Sequence, residues 1–282
     1  MINVSPSSRG SFRQPGYQKE ILRYAVGGFG HLALHSAFQP ILSIKDNGAI
    51  IGYEGLLRAT DPDGAPLSPF QAFATISDPD DYAQVDRLCR TVHVENFLRQ
   101  QGEGLLFLNV HPNSLVQQHG EAGRIFQQII SQFGIASDSI VIEVLEGSID
   151  DETLLIDAIQ NYQSRGFRVA VDDFGSGQSN FRRLWRISPE IVKLDRSMLL
   201  EAAENPKVRR QLSKLVDLIH DWGSEIVIEG VETLTHVDIA IGAGADYVQG
   251  YYFARPTASL TDAATQAHRY ATTVTWQLDW SI

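Results

Sequence analysis

Carboxylates and amides recur in this chain at the ends of short apolar runs. Glu54 lies within the run 50–58, Asn109 closes LLFLN, Glu143 closes IVIE, and Asp172 and Asp173 close RVAVDD. Lys193 and Asp195 close IVKLD, Glu229 closes EIVIE, and Gln249 follows DYV. Oxygen ligands with no cysteine nearby suit Mg2+ or Mn2+ better than structural zinc. Carboxylates brought together without a cation repel one another, and their pKa values are forced up. An aspartate pair such as Asp172 and Asp173 lets one carboxylate bridge two ions, and two ions ~3.5–4 Å apart are the usual arrangement for in-line phosphodiester hydrolysis. A plainer reading stands beside this one. A single acidic residue at a strand end often caps the next helix, Asn109 before His111-Pro112 can shape a turn, and Lys193 with Asp195 can be a solvated pair. The joint pattern, one metal-competent group at the end of each successive run, favours a metal site.

The runs that carry these residues are 33–39, 50–58, 105–110, 140–144, 168–171, 191–194, 226–228 and 247–248. They are short and rich in Val, Ile and Leu, as strands buried on both faces are. Helical periodicity fills 80–98, 114–133, 151–165, 197–222 and 231–243 between them. Ser114, Asp150 and Ser197 stand where N-caps are wanted, and Gly134, Gly166 and Gly223 where helices stop. This strand–helix rhythm predicts a parallel sheet, and the count favours closure: an α/β protein of one domain, a modified TIM-type (β/α)8 barrel. In such a barrel the C-terminal strand ends meet on one face, so residues from Glu54 to Gln249 share one pocket. Residues 1–16, rich in Ser, Pro, Gly and Arg, read as a flexible arm, 17–256 as the barrel, and 257–282 as a C-terminal extension packed on the barrel or facing a partner. A short leading helix is expected over 16–26. GGFG at 27–30 lacks a following Gly-Lys-Ser/Thr and reads as a helix stop rather than a phosphate loop.

Composition narrows the class. Of 282 residues, 43% are hydrophobic and 20% charged, which excludes a disordered chain and a coiled coil. Lys and Arg total 23 against 34 Asp and Glu, a formal charge of −11. Such a surface repels DNA, RNA polymer and anionic membrane, so an anionic substrate needs a metal or a local basic patch. One cysteine, Cys89, excludes an internal disulfide and fits a reducing, cytoplasmic compartment. It falls in the 80–98 helix and reads as core. The most apolar early stretch, 21–38, is interrupted by Arg23, His31 and His35, so neither a membrane span nor a signal peptide is expected. The eight histidines form no zinc-protease pattern.

Taken in order, the motifs resemble those of EAL domains, the bacterial cyclic-di-GMP phosphodiesterases. FQPI at 38–41, GYEGLLR at 52–58, LNVHPNSL at 108–115, IEVLEGS at 142–148, VDDFGSG at 171–177, IVKLD at 191–195, VIEGVET at 227–233 and VQGYYFARP at 248–256 carry the likeness. By that resemblance the metal ligands fall on Glu54, Asn109, Glu143 and Asp172, with Asp173 serving a second ion and Glu229 acting as base or ligand near the attacking water. Lys193 matches the lysine that holds that water or a phosphate oxygen, and Gln249 the glutamine near the metals. Glu146 matches the glutamate anchoring the loop after Asp173, and Glu232 a further acidic position. Gln39, Arg58, Arg255 and Pro256 match positions lining the substrate groove. The implied activity is hydrolysis of cyclic-di-GMP to linear pGpG by water activated on two Mg2+ or Mn2+ ions. The implied assembly is a homodimer, with a regulatory protein partner as an optional input. The alternative is a catalytically inactive receptor that binds the nucleotide and signals through a partner.

Four departures stand out. Gly55 replaces the family's alanine, a change expected to matter little because Glu54 carries the chemistry. His111 stands where serine is usual. Gln178 replaces a common tyrosine in the loop after the aspartate pair. FATISDPDDYAQ at 73–84 replaces an Ala-Glu-Glu stretch and is expected to reshape one rim of the groove.

Overall fold

The structure is a computed structural model and describes residues 24–76, 78–111, 114–115, 121–145, 152–177 and 181–276. Among the described residues ten strands form one sheet: β1 Gly27–Phe29, β2 Leu32–Ser43, β3 Ile50–Thr60, β4 Pro66–Leu67, β5 Leu105–Asn109, β6 Ile140–Leu145, β7 Arg168–Phe174, β8 Ile191–Leu194, β9 Glu225–Ile228 and β10 Tyr247–Val248. Their order is β1-β2-β10-β9-β8-β7-β6-β5-β3-β4, and β2 also pairs with β3, which closes eight strands into a barrel. From β3 round to β10 every barrel pairing is parallel, whereas β2 is antiparallel to both of its barrel neighbours.

The exception corrects a sheet expected to be wholly parallel. Only residues 44–49 join β2 to β3, and a parallel crossover needs a dozen or more. The chain therefore turns back as a hairpin through Asn47 (φ 53°) and Gly48 (φ 79°). A side chain at Gly48 would meet the Trp276 ring at 2.5 Å, so backbone shape and packing both require glycine there.

Alternation along the strands sorts the barrel interior into layers. Ile41, Phe107, Val141, Ala170, Ile191 and Val227 form a buried apolar cluster within it. Two residues further along each parallel strand, on the same face, stand Asn109, Glu143, Asp172, Lys193 and Glu229. On antiparallel β2 the equivalent step runs backwards, to Gln39, which is paired with Glu54 on β3.

Helices cover the outside, and several differ from expectation. GGF at 27–29 is strand β1, paired with Leu32–Leu34, rather than a helix stop. Residues 24–26 are not helical, and the rest of the expected leading helix lies outside the described residues, as do the arm and Asp150. The pattern over 197–222 is two helices, Arg196–Glu204 and Pro206–Asp221, because Asn205 and Pro206 break it; Asp195 caps the first and Asn205 the second. The helix expected from 231 begins at Leu234 with Thr233 as its cap. Ser114 is buried and donates to Asp86 (2.8 Å). Gly134, Gly166 and Gly223 take positive φ of 73°, 81° and 88° just past their helices. Beyond residue 256, helix Leu260–Ala271 leads to Trp276, which stacks on Phe253 at 5.8 Å and donates to Ala271 O at 3.0 Å. Trp280 lies outside the described residues. No helix among the described residues is long and apolar enough to cross a membrane.

Candidate active site

The C-terminal strand ends converge on one ammonium group. Lys193 Nζ lies 2.7 Å from Glu143 Oε1, 2.7 Å from Glu229 Oε1, 3.1 Å from Asp172 Oδ1 and 3.6 Å from Glu54 Oε2. The Asn109 amide donates to Glu54 Oε1 and Glu143 Oε2, both at 2.9 Å, and Gln249 Nε2 donates to Glu54 Oε2 at 2.8 Å. Asp173 enters the same face through a bulge. The β7–β8 register shifts between Val171 and Phe174, and Asp173 adopts φ 56°. In a regular strand two consecutive side chains point to opposite faces; the bulge and left-handed residue turn both aspartates toward the site. Ligand oxygens of Asp172, Asp173 and Glu229 lie within 4.8 Å of one another.

One buried lysine does not balance this much negative charge. At an effective dielectric of about 20, two like charges about 4 Å apart cost about 4 kcal/mol. Burial, and then the charge of Glu54, pushes the Glu143 carboxyl well above the usual range. Burial likewise raises Glu229 to about 8, with Asp172 and Glu54 adding to the effect against Lys193. Asp173 is raised to about 6 by burial and by Asp172. Burial also opposes the charge on Glu54, but Lys193 and the amides of Gln249 and Asn109 outweigh it and hold Glu54 ionised. Lys193 itself stays protonated despite burial because of its four carboxylate neighbours. Among the described residues, Glu143 Oε1 and Asp172 Oδ1 have no hydrogen-bond donor beyond the contacts to Lys193, and Gln249 Oε1 is buried without one. An oxygen-rich, under-compensated cluster of this kind fits hard divalent cations, with Glu54, Asn109, Glu143, Asp172, Asp173 and Glu229 as candidate ligands. Turning the Asn109 amide over presents its oxygen to the same point.

The motifs agree with the comparisons. The model of the EAL domain matches residues 22–256. The chain belongs to the EAL-domain family. The EAL chain is 28% identical over 238 residues to the cyclic di-GMP phosphodiesterase RocR of Pseudomonas aeruginosa, covering 82% of this chain and 59% of that one. It is 28% identical over 226 residues to the EAL-domain protein YkuI of Bacillus subtilis, covering 78% and 54%. It thus spans little more than half the length of these two relatives. Among solved structures, BlrP1 of Klebsiella pneumoniae with manganese and cyclic-di-GMP superposes with a TM-score of 0.71 at 26% identity, over 79% of this chain and 56% of that one. A standalone EAL protein of Vibrio cholerae bound to cyclic-di-GMP gives 0.70 at 25%, over 79% and 92%.

Not every expected residue of the EAL domain joins the cluster. Gln39 is buried beside it and donates to Ala254 O (3.1 Å). Arg58 instead donates to the carbonyl of its neighbour Leu57 (2.8 Å). The Arg255 guanidinium lies 4.3 Å over the Tyr251 ring, with Pro256 beside it in sequence. Asp195 follows the plainer reading: it accepts from Ser197 N (2.9 Å) as a helix cap. Glu146 and Gln178 lie outside the described residues. A cavity of about 270 Å³ opens over the site, lined by Gln39, Glu54, Glu229 and Gln249 and beyond them by Arg196, Glu232 and Tyr251. Arg196 and Tyr251 are additions that strand-end reasoning does not reach, because neither closes a strand.

Two of the departures explain each other. His111 stacks on Phe73 (4.5 Å between ring centroids) and lies 5.1 Å from Tyr82, both from the unusual 73–84 segment. Its backbone N–H donates to Asp86 (2.8 Å), and burial lowers the ring's pKa. The altered rim is thus the slot that encloses the altered loop residue. Gly55 is also more constrained than expected. A Cβ there would stand 3.1 Å from His93 Cβ and Cγ, and His93 is buried and bonded to Ser36 Oγ (2.7 Å).

Proposed function

We propose that this EAL domain is a divalent-metal-dependent phosphodiesterase that hydrolyses cyclic-di-GMP to linear pGpG. The observation that carries the reading is the convergence of Glu54, Asn109, Glu143, Asp172 and Glu229 around Lys193, with Asp173 turned in by the bulge. Two Mg2+ or Mn2+ ions held by these ligands would supply charge for the phosphate and lower the pKa of water. The chain's own residues do the rest. Glu229, at 19% the most exposed of the four carboxylates on Lys193, lines the cavity and accepts the proton of the attacking water, with Asp173 as the neighbouring carboxylate. Lys193 fixes Glu229 and Glu54 through its own contacts and keeps their oxygens aimed at the strand ends. Gln249 donates to the same Glu54 oxygen, Oε2, and Asn109 holds the other. Gln39, Arg58, Arg255 and Pro256 are assigned to the walls that receive the nucleotide.

The deciding experiment is turnover of cyclic-di-GMP by the purified protein with Mg2+ or Mn2+, followed by chromatography with an EDTA control. Metal-dependent appearance of pGpG supports the proposal. Calorimetric binding of intact nucleotide without product makes the protein a receptor, and absence of both removes the nucleotide from its function. Gel filtration tests the homodimer implied by the family.

A further inference from the structure

We infer that Arg196 is the side chain that reads the phosphodiester of the nucleotide, held in place by Glu232; this rests on the function proposed above. The side chains lining the cavity include the carboxylates Glu54, Glu229 and Glu232, and Arg196 is the one cation that lines it among the described residues. Lys193 cannot serve a phosphate in the same way, because its ammonium is 1% exposed and engaged by four carboxylates. Arg58 and Arg255 are turned to a backbone carbonyl and a tyrosine ring.

Arg196 is built into position. It is the first residue of helix Arg196–Glu204, so its backbone is fixed by the Asp195 cap. Its stem lies across Gly230, where a Cβ would be 2.3 Å from Arg196 Cγ and 2.5 Å from its Cβ. Gly230 (φ 66°) follows Glu229 directly, so the arginine runs beside the residue assigned as base. Arg196 Nη2 donates to Glu232 Oε2 at 2.7 Å, its one side-chain hydrogen bond among the described residues. A guanidinium carries five N–H donors in a planar fork, so most of its donors remain for an incoming anion. That fork matches the paired non-bridging oxygens of a phosphate. The Glu232 bond fixes the side chain without consuming those donors, and lowers the entropy lost when the anion arrives.

The test compares wild type with Arg196→Gln and Arg196→Lys. Steady-state hydrolysis gives KM and kcat, and calorimetry of cyclic-di-GMP binding in Ca2+ buffer gives Kd without relying on turnover. Thermal melting checks that each variant is folded. Arg196→Gln should raise KM and Kd tenfold or more while kcat changes less than threefold. Arg196→Lys, which keeps charge but loses the fork, should fall between. The gap between wild type and Arg196→Gln should narrow as salt rises, which a structural role would not produce. If wild type binds and hydrolyses while folded Arg196→Gln stays within twofold in both KM and Kd, the assignment of Arg196 is overturned and the function stands. If wild type neither binds nor hydrolyses, the function falls and takes this assignment with it.

Discussion

Lys193 sits among more negative charge than it can neutralise, and that imbalance makes the site both useful and costly to the fold. Glu229→Gln removes one of the repelling carboxylates. It should abolish hydrolysis, by a factor of 10² to 10⁴ in kcat if Glu229 takes the proton, while the metal-free protein melts at the same temperature or higher. A variant that kept full turnover would end the role given to Glu229. Lys193→Met does the reverse and leaves three buried carboxylates and the half-buried Glu229 uncompensated. Loss of one partner of a buried ion cluster costs about 3–5 kcal/mol, so this variant should melt well below wild type in EDTA and recover in Mg2+. Equal melting curves with and without the ion would show that the cluster does not hold one. Most of the carboxylates and amides were legible from sequence because they close apolar strands, and Glu54 because it stands as a lone charge inside one. Arg196 was not, because it opens a helix and reaches the cavity only by lying over a glycine 34 positions further along.

Elements place these groups with tolerances set by close backbone and side-chain contacts. Glu54 is carried by β3, and the next residue, Gly55, leaves His93 no spare room. Overpacking a filled interior costs about 1–3 kcal/mol. Gly55→Ala, which restores the family's usual residue, should therefore lower the urea midpoint and reduce kcat several-fold, because relief of the clash by strand movement displaces Glu54. Adding His93→Ala to Gly55→Ala should return part of the activity, and strictly additive effects would show that the two positions do not meet. Gly55 thus answers a particular neighbour, which the motif alone does not show. The aspartate pair is a similar case. The sequence VDDF shows that two carboxylates are adjacent, but alternation alone would send one of them outward, and only the bulge with Asp173 at positive φ brings both to one face.

Across the whole barrel the charge problem recurs at the opposite rim with a different solution. Asp246, just before β10, is buried, yet its carboxylate accepts from Lys45 Nζ, from Ile226 N (2.9 Å) and from His220 Nε2 (2.7 Å). Burial opposes its charge, but these donors outweigh burial and hold its pKa below the usual value, with Glu225 and Asp46 nearby as further charges on Lys45. A carboxyl depressed in the folded state stabilises the fold above its unfolded pKa of about 3.9, and that contribution is lost as pH falls through the folded value. Asp246→Asn should lower stability at neutral pH by roughly 2 kcal/mol, given that hydrogen bonds to a charged group are worth about 1.5–3. The difference from wild type should shrink as pH drops below 4, measured as urea midpoints from pH 7 to pH 2.5. A constant difference over that range would show that the Asp246 charge does not stabilise the barrel.

By itself the sequence determined the barrel, the strand that carries each polar residue, and the kind of ion those residues suit. These follow from local properties: apolar runs, their period, and the residue that ends each run. The antiparallel course of β2 was readable in principle from its six-residue link to β3, but a strand–helix count does not register link length. Tertiary structure alone decided the rest. It brought Glu54 and Gln249 together across 195 positions, matched His111 with Phe73 and Tyr82, and laid Arg196 over Gly230. Those outcomes depend on contacts between segments distant in sequence, and no local pattern of residues encodes the distance between two side chains that meet only when the barrel closes.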